Sequence, residues 1–339
     1  MTRKDVVKLA VEHKKPPYVP WDIVFSTAGQ KTAAAYYGAD DVDALLQNHF
    51  MYISSGITRF KDAGNGQISD GFGVKWVRNM SEDVAMPQGL VLPEPTLTGC
   101  HFPDAKHPGY YSHIPAILDK YHDRFLIFAI GYTLFERAWT LRGMENLMMD
   151  IIEHPQFVHN LLDAITDVNM AQIEMALQFD FDCFHFGDDW GHQHGLFISR
   201  AHWMEFIYPR MKRMFDRVRK AGKYISIHSC GDVHELFDDL IGIGLNIANP
   251  FQPEAMDVHG LMKRYRGKLA FHGGLSTQQT LPYGTVDEVI AETRKLLKAG
   301  AKGGYIFAPA HGVGGEVPIK NIDAVVELLH SQPGFMSKQ

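Results

Sequence analysis

Cysteine is scarce in this chain: Cys100, Cys183 and Cys230 are the three among 339 residues. Three thiols cannot staple a chain of this size, so reduced thiols in a cytosolic setting are expected. Long hydrophobic runs are missing too. The uncharged stretch FLIFAIGYTLF at 125–135 falls far short of the roughly 20 apolar residues that span a bilayer. The opening MTRKDVVKLAVEHKK lacks the continuous apolar core of a secretory signal. A soluble, cytoplasmic protein with no membrane partner is therefore expected. Charge of one sign is concentrated nowhere: 33 basic against 39 acidic residues leave a net −6, and no stripe of Lys and Arg tracks phosphates. Nucleic acid is excluded as an expected partner. No Gly/Ser or charged linker divides the chain, and no low-complexity tract or short repeat is present. With 45% hydrophobic and 12% aromatic residues the chain can bury a sizeable core, which excludes disorder as its main state.

What is present is a repeated unit. From about residue 124 a short apolar run, a polar or Gly/Asp/His-containing tip and a segment of helical period follow one another again and again, the pattern of parallel strands with crossover helices. The strand-like runs are RFLIFAI (124–130), FDCFHFG (181–187), YISIHSC (224–230), LNIANP (245–250), KLAFHGG (268–274) and GGYIFAPAH (303–311). Ser199 is placed to cap a helix running to Gly222, and Thr285 with Glu288 forms a capping-box pattern ahead of VIAETRKLLKAG. The first 120 residues give helical segments at 2–14, 27–37 and 41–53, a Gly-rich strand pair in GNGQISDGFGVKWVRN, and a Pro-rich loop from Met86 to Pro108. The expectation is one α/β domain over 1–339, a single (β/α)8 barrel. Residues 1–120 would form a helical and hairpin extension with the first barrel elements, and 121–330 the remaining β/α units; such barrels need about 250 residues plus insertions.

Eighteen histidines is a high count, and their placement carries the main clue. Barrel enzymes hold their chemistry where strands end. Here those tips carry Asp188 and Asp189, then His228 and Cys230, then Asn249 with Gln252, then His272, then His311. In His228-Ser229-Cys230 the period-2 pleat points an imidazole and a thiol to the same side, and His311 at another tip offers a third ligand. One sulfur and two nitrogens suit Zn²⁺, leaving a fourth position open. Of the adjacent acids only one is expected to face the site. His272 stands in F-H-G-G, a candidate catalytic or rim histidine, while His192 and His194 are weaker candidate ligands. HGVGG at 311–315 lacks the Lys-Ser/Thr of a phosphate loop. Trp21, Phe25, Tyr36, Tyr37, Phe72 and Trp76 are read first as core and second as walls of a pocket for a planar substrate.

From about residue 180 to 325 the sequence resembles the uroporphyrinogen decarboxylase superfamily, and within it the cobalamin-linked methyltransferase branch. The resemblance rests on GDDWGHQHGLFISRAHWMEFIYPRMK, IHSCGD, FHGGLSTQQTLPYGT and YIFAPAHGVGGEVPIKNI. It implies a single (β/α)8 barrel whose N-terminal extension covers the mouth. The decarboxylases resemble one another in an R-Q-A-G-R stretch; here the corresponding WDIVFSTAGQKTAAA has Lys31 as its one cation. Without arginines the bidentate partners of a many-carboxylate porphyrinogen are missing. The branch methyltransferases carry zinc on H-x-C and a distant cysteine, and the position of that cysteine is His311 here. The resemblance thus implies zinc on His228, Cys230 and His311, and a methyl group exchanged between a small molecule, preferably a methoxylated aromatic, and a corrinoid (cobalamin) on a partner protein. Asp188 or Asp189 and His272 would serve the chemistry, with Trp21, Asp22, Phe25, Asn249 and Gln252 around the substrate. The alternatives are methylcorrinoid-to-thiol transfer, uroporphyrinogen decarboxylation, and a barrel that only binds a corrinoid or tetrapyrrole.

Overall fold

The computed structural model describes residues 1–39, 41–64, 67–78 and 85–336. Seven parallel strands form one sheet in chain order: β1 (Phe50–Ser54), β2 (Phe125–Ile130), β3 (Cys183–Gly187), β4 (Tyr224–His228), β5 (Ile247–Phe251), β6 (Ala270–Leu275) and β7 (Tyr305–Pro309). Helices cross between successive strands from β2 onward, as the apolar runs and capping signals predict. Thr285 and Glu288 form the expected capping box of helix Val286–Gly300. The segment before β1 reaches both edges of the sheet. The Asp22 amide donates to Phe307 O at 2.9 Å, Phe307 N donates to Pro20 O at 2.9 Å, and His49 N donates to Trp21 O at 3.1 Å.

Three expectations need correcting. The helix expected over 41–53 is only Val42–Leu46; Gln47 turns left-handed (φ 52°), and Phe50–Ser54 becomes β1. The helix from Ser199 to Gly222 is not continuous in type, because a π-helical turn at Trp203–Ile207 precedes Tyr208–Lys220. Pro209 sits at that junction and has no amide to donate, which removes one rung of the α ladder. The Gly-rich strand pair is part of a four-stranded antiparallel sheet, Lys61–Gly64, Gln67–Ser69, Lys75–Arg78 and Ala85–Gln88; positions 65, 66 and 79 of that motif lie outside the described residues.

Two apolar layers position the site. The larger lies between the sheet and the helices. The smaller fills the lower interior of the sheet with Phe50, Phe125, Ile127, Cys183, Ile247, Ala270 and Ile306, and helix Arg3–Val11 lays Val7 and Val11 against it. Lys4 and Lys8 hold that helix through Asp182, at 3.0 and 2.9 Å. One pleat further up, the same inward faces turn polar: Phe50 gives way to Tyr52, Cys183 to His185, Ile247 to Asn249 and Ala270 to His272, because residues i and i+2 share a face. The antiparallel module is clamped to helix Phe135–Arg142 by a buried Arg137–Asp70 pair at 2.6 Å, with the guanidinium 4.1 Å from the Phe72 ring centroid.

Candidate metal centre

His228 ends β4, and Cys230 follows two residues later on the same face. His311 follows β7 across the mouth. Their ligand atoms lie within 4.8 Å of one another, and no other group of three such residues does so among the described residues. The His228 Nε2 to Cys230 Sγ distance is 3.4 Å, close to the roughly 3.5 Å edge of a tetrahedron built from ordinary Zn–N and Zn–S bond lengths. The donor set therefore fits zinc.

Surrounding groups prepare the ligands. Asn249 Oδ1 lies 2.7 Å from His228 Nδ1, and the Asn249 amide donates to His272 O at 3.1 Å, which fixes the amide's orientation. With its Oδ1 so placed, Asn249 accepts the Nδ1 proton and leaves the Nε2 lone pair of His228 free for a metal. Burial, and then the nearby Asp189 and Glu136 carboxylates, push the Cys230 thiol up, so its thiolate calls for a cation. The His311 imidazole is held below its ordinary value by burial and by His228. Asn249→Ala should weaken zinc binding about tenfold, read by competition with a chromophoric chelator.

The acid pair divides its work. Asp188 is fully buried, and its carboxylate accepts from the amides of Leu134 (3.1 Å), Phe135 (3.0 Å) and Glu136 (2.8 Å) and from Trp190 Nε1 (2.6 Å). Asp188 thus caps helix Phe135–Arg142, and its acceptor lone pairs are taken up by these four donors. Asp189 faces the ligands: its Oδ1 accepts from Cys230 N at 2.8 Å and lies 3.9 Å from His228 Nε2. Sequence reasoning missed Glu136, whose carboxyl is raised to about 8 by burial and by the charges of Asp189 and Asp188.

Under the ligands lies a cavity of about 690 Å³ lined by Asp22, Phe25, Tyr52, His185, His228, Asn249, His272, His311 and Glu316, among others, with no Lys or Arg. A larger groove of about 940 Å³, between helices Val258–Arg264 and Val286–Gly300, holds none of the three ligands; the donor set, not the volume, identifies the site. Trp21 is not in the cavity. It is buried beneath it, donating to Leu46 O at 2.8 Å. Gln252 is turned away as well, accepting from Gly231 N at 2.6 Å. That bond braces the turn after Cys230, where Gly231 (φ +80°) leaves no room for a Cβ against the Gly191–His192 backbone. Of the other aromatics, Phe72 and Trp76 are core, and Tyr36 and Tyr37 bond Asp323. His192 and His194 are exposed on a two-stranded turn, outside the ligand group. Lys31 is exposed and does not line the cavity. Tyr52 and His185, which sequence reasoning did not single out, do line it; their signal was the inward alternation of their strands.

At the cavity floor His272 Nε2 lies 3.8 Å from Asp22 Oδ2, both side chains buried. Burial, and then Asp43, raise the Asp22 carboxyl to about 7, and burial lowers the His272 imidazole to about 3. Between about pH 4 and 7 the folded state then binds a proton at Asp22 that the unfolded chain has lost, so Asp22 contributes less to stability as pH rises through that window. Asp22→Asn should be more stable than the wild type at pH 8, by roughly 2–4 kcal/mol, with the advantage gone at pH 4; urea midpoints at the two pH values check this.

Fold and ligand set together define the class: a parallel α/β protein of the barrel type with a candidate His₂Cys centre over the cavity at its strand ends. Residues 119–332 match the family described as uroporphyrinogen decarboxylase (URO-D), and the chain belongs to it. It is 25% identical over 195 residues to the uroporphyrinogen decarboxylase of Anaeromyxobacter dehalogenans (strain 2CP-C), covering 56% of this chain and 52% of that protein. The Rhodococcus opacus (strain B4) uroporphyrinogen decarboxylase is 29% identical over 188 residues, covering 52% and 49%. The chain thus spans about half the length of the curated relatives it matches. A methyltransferase from Methanosarcina mazei has a similar fold, with TM-score 0.72 at 18% identity over 97% of this chain and 98% of that one. No helix of the described residues is long and apolar enough to cross a membrane.

Proposed function

We propose that this chain is a zinc-dependent methyltransferase that moves a methyl group between a small molecule, preferably a methoxylated aromatic, and a corrinoid on a partner protein. The observation that carries the reading is the His228, Cys230 and His311 donor set over a cavity without a single Lys or Arg in its lining. Zinc, when bound, supplies Lewis acidity beside the departing oxygen. The chain's own residues do the rest. Asn249 orients His228, Asp189 braces the Cys230 amide, and Phe25 and Tyr52 flank a flat substrate. The corrinoid protein covers the mouth, so that the methyl carbon faces its acceptor. The interleaved hydrogen bonds of Pro20–Asp22 with Phe307 and His49 support a closed eight-membered barrel around this cavity. A many-carboxylate porphyrinogen would meet Asp22 and Glu316 there and no cation, which disfavours decarboxylation.

The test supplies zinc-loaded protein with 2-methoxyphenol and a corrinoid protein in its Co(I) state. The C–O bond breaks with its electron pair on oxygen, the two electrons of Co(I) form the methyl–Co(III) bond, and the oxygen takes a proton from solvent so that catechol is released; the cobalt absorbance reports the transfer. Uroporphyrinogen should release no carbon dioxide. Decarboxylation by metal-free protein would replace this reading.

A further inference from the structure

We infer that Asp22 and His272 form a receptor for one hydroxyl of an uncharged substrate, at the floor of the cavity below the metal ligands. The inference rests on the proposed function in taking this cavity as the place of the methyl donor, and it names the chemical class of that donor.

Two unsatisfied groups face each other. His272 Nε2 is buried and has no hydrogen-bond partner. No donor among the described residues reaches the Asp22 carboxylate, whose Oδ2 is the nearest acid oxygen at 3.8 Å. That separation is too long for a direct hydrogen bond. It leaves a position between them from which one oxygen can bond both. Buried polar groups are normally paired, and an orphaned nitrogen on a residue that lines a cavity marks a place where a ligand supplies the missing partner.

The geometry is held stiffly. The His272 ring stacks on Phe50 with centroids 5.0 Å apart and planes 15° apart. Its carbonyl accepts from Asn249, and the next residue, Gly273 (φ +135°), lets the Phe251 backbone come so close that a Cβ would sit 2.5 Å from Phe251 N. Asp22 is fixed by its own amide, which donates to Phe307 O.

Charge then selects the ligand. The ionisable acids lining the cavity are Asp22 and Glu316, and no Lys or Arg joins them, so at the floor, away from the metal ligands, a carboxylate or phosphate on the substrate has no side-chain counter-charge. An ammonium, which only donates, serves the pair only while Asp22 is ionised and His272 Nε2 is an acceptor; it is opposed by a protonated Asp22 or an Nε2–H. A hydroxyl, one donor with two lone pairs, serves either protonation arrangement of the pair. Burial keeps both groups neutral across the mildly acidic range, with Asp22 near 7 and His272 near 3, which fits a neutral guest.

The test is calorimetric binding to the zinc-loaded protein, with no corrinoid present. 2-Methoxyphenol should bind about 100-fold more tightly than anisole, which lacks the hydroxyl, and more tightly than 2-methoxybenzoate or 2-methoxybenzylamine. His272→Phe keeps the ring stacked on Phe50, and Asp22→Leu removes the acid; in each, the preference over anisole should shrink to a few-fold while anisole binds as before. Failure of 2-methoxyphenol to exceed anisole in the wild type overturns the inference, whether both bind or neither does. So does a preference that survives in both variants, or tighter binding of the benzoate or the benzylamine. Methyl transfer is scored separately. Hydroxyl preference without transfer to any corrinoid overturns the methyltransferase reading alone, whereas transfer from anisole as fast as from 2-methoxyphenol overturns the receptor alone.

Discussion

Cys230→Ser is expected to lose zinc at least 100-fold more readily than the wild type, the largest functional effect anticipated for a single side chain. A hydroxyl is a far poorer zinc ligand than a thiolate, and it supplies no negative charge to a site whose other two ligands are neutral imidazoles. The Cys230 amide would still donate to Asp189, so the loop should keep its path. Metal content after dialysis, together with chelator competition, gives the measurement. Stoichiometric zinc in the variant would break the site as drawn, and the methyl-transfer reading with it. His272→Ala is the control, because its imidazole lies outside the ligand group and metal should remain bound.

Asp188→Ala should be the most damaging change to stability, costing roughly 3–5 kcal/mol. Four donors, three of them buried and one partly so, lose their acceptor at once: the amides of Leu134, Phe135 and Glu136 at the start of helix Phe135–Arg142, and the Trp190 indole. In a chain of this length that lowers the thermal midpoint by roughly 4–7 °C. Asp189→Ala, one residue away and partly exposed, should cost less than about 1 kcal/mol yet weaken metal binding, because the Cys230 turn loses its brace. Thermal melts and zinc affinities on the two variants separate these effects; equal destabilisation would contradict the division of labour between the adjacent acids.

The sequence made the strand tips legible because strand ends announce themselves twice, by the stop of an apolar run and by the polar residue that follows. His228, Cys230 and His311 were found that way. The place of Gln252 at a strand tip suggests a pocket residue, but its amide oxygen is spent on Gly231 N, and no pattern in one sequence shows which way a loop side chain turns. Trp21 sits next to Asp22, and alternation sends one into the core and the other into the cavity; choosing between them needs the register. β1 was hidden because HFMYIS follows a helical segment without a Gly or Pro break, and the turn is made by Gln47 in a left-handed conformation that its type does not advertise. The Asp22–His272 pair joins residues 250 positions apart and was beyond any local pattern.

Helix Arg3–Val11 covers the lower end of the sheet with Val7 and Val11 packed over an apolar layer, on the side away from the metal ligands. With that end covered, the way to the cavity floor under the proposed function is past the rim on which the corrinoid protein would dock. A demethylase working through such a rim would have a compulsory order: the small molecule would enter while the rim is bare, the partner would then cover it, and the demethylated product would leave only after the partner had gone. In steady-state kinetics such an enzyme would show a large excess of partner protein inhibiting turnover, because a lid that arrives first shuts the guest out.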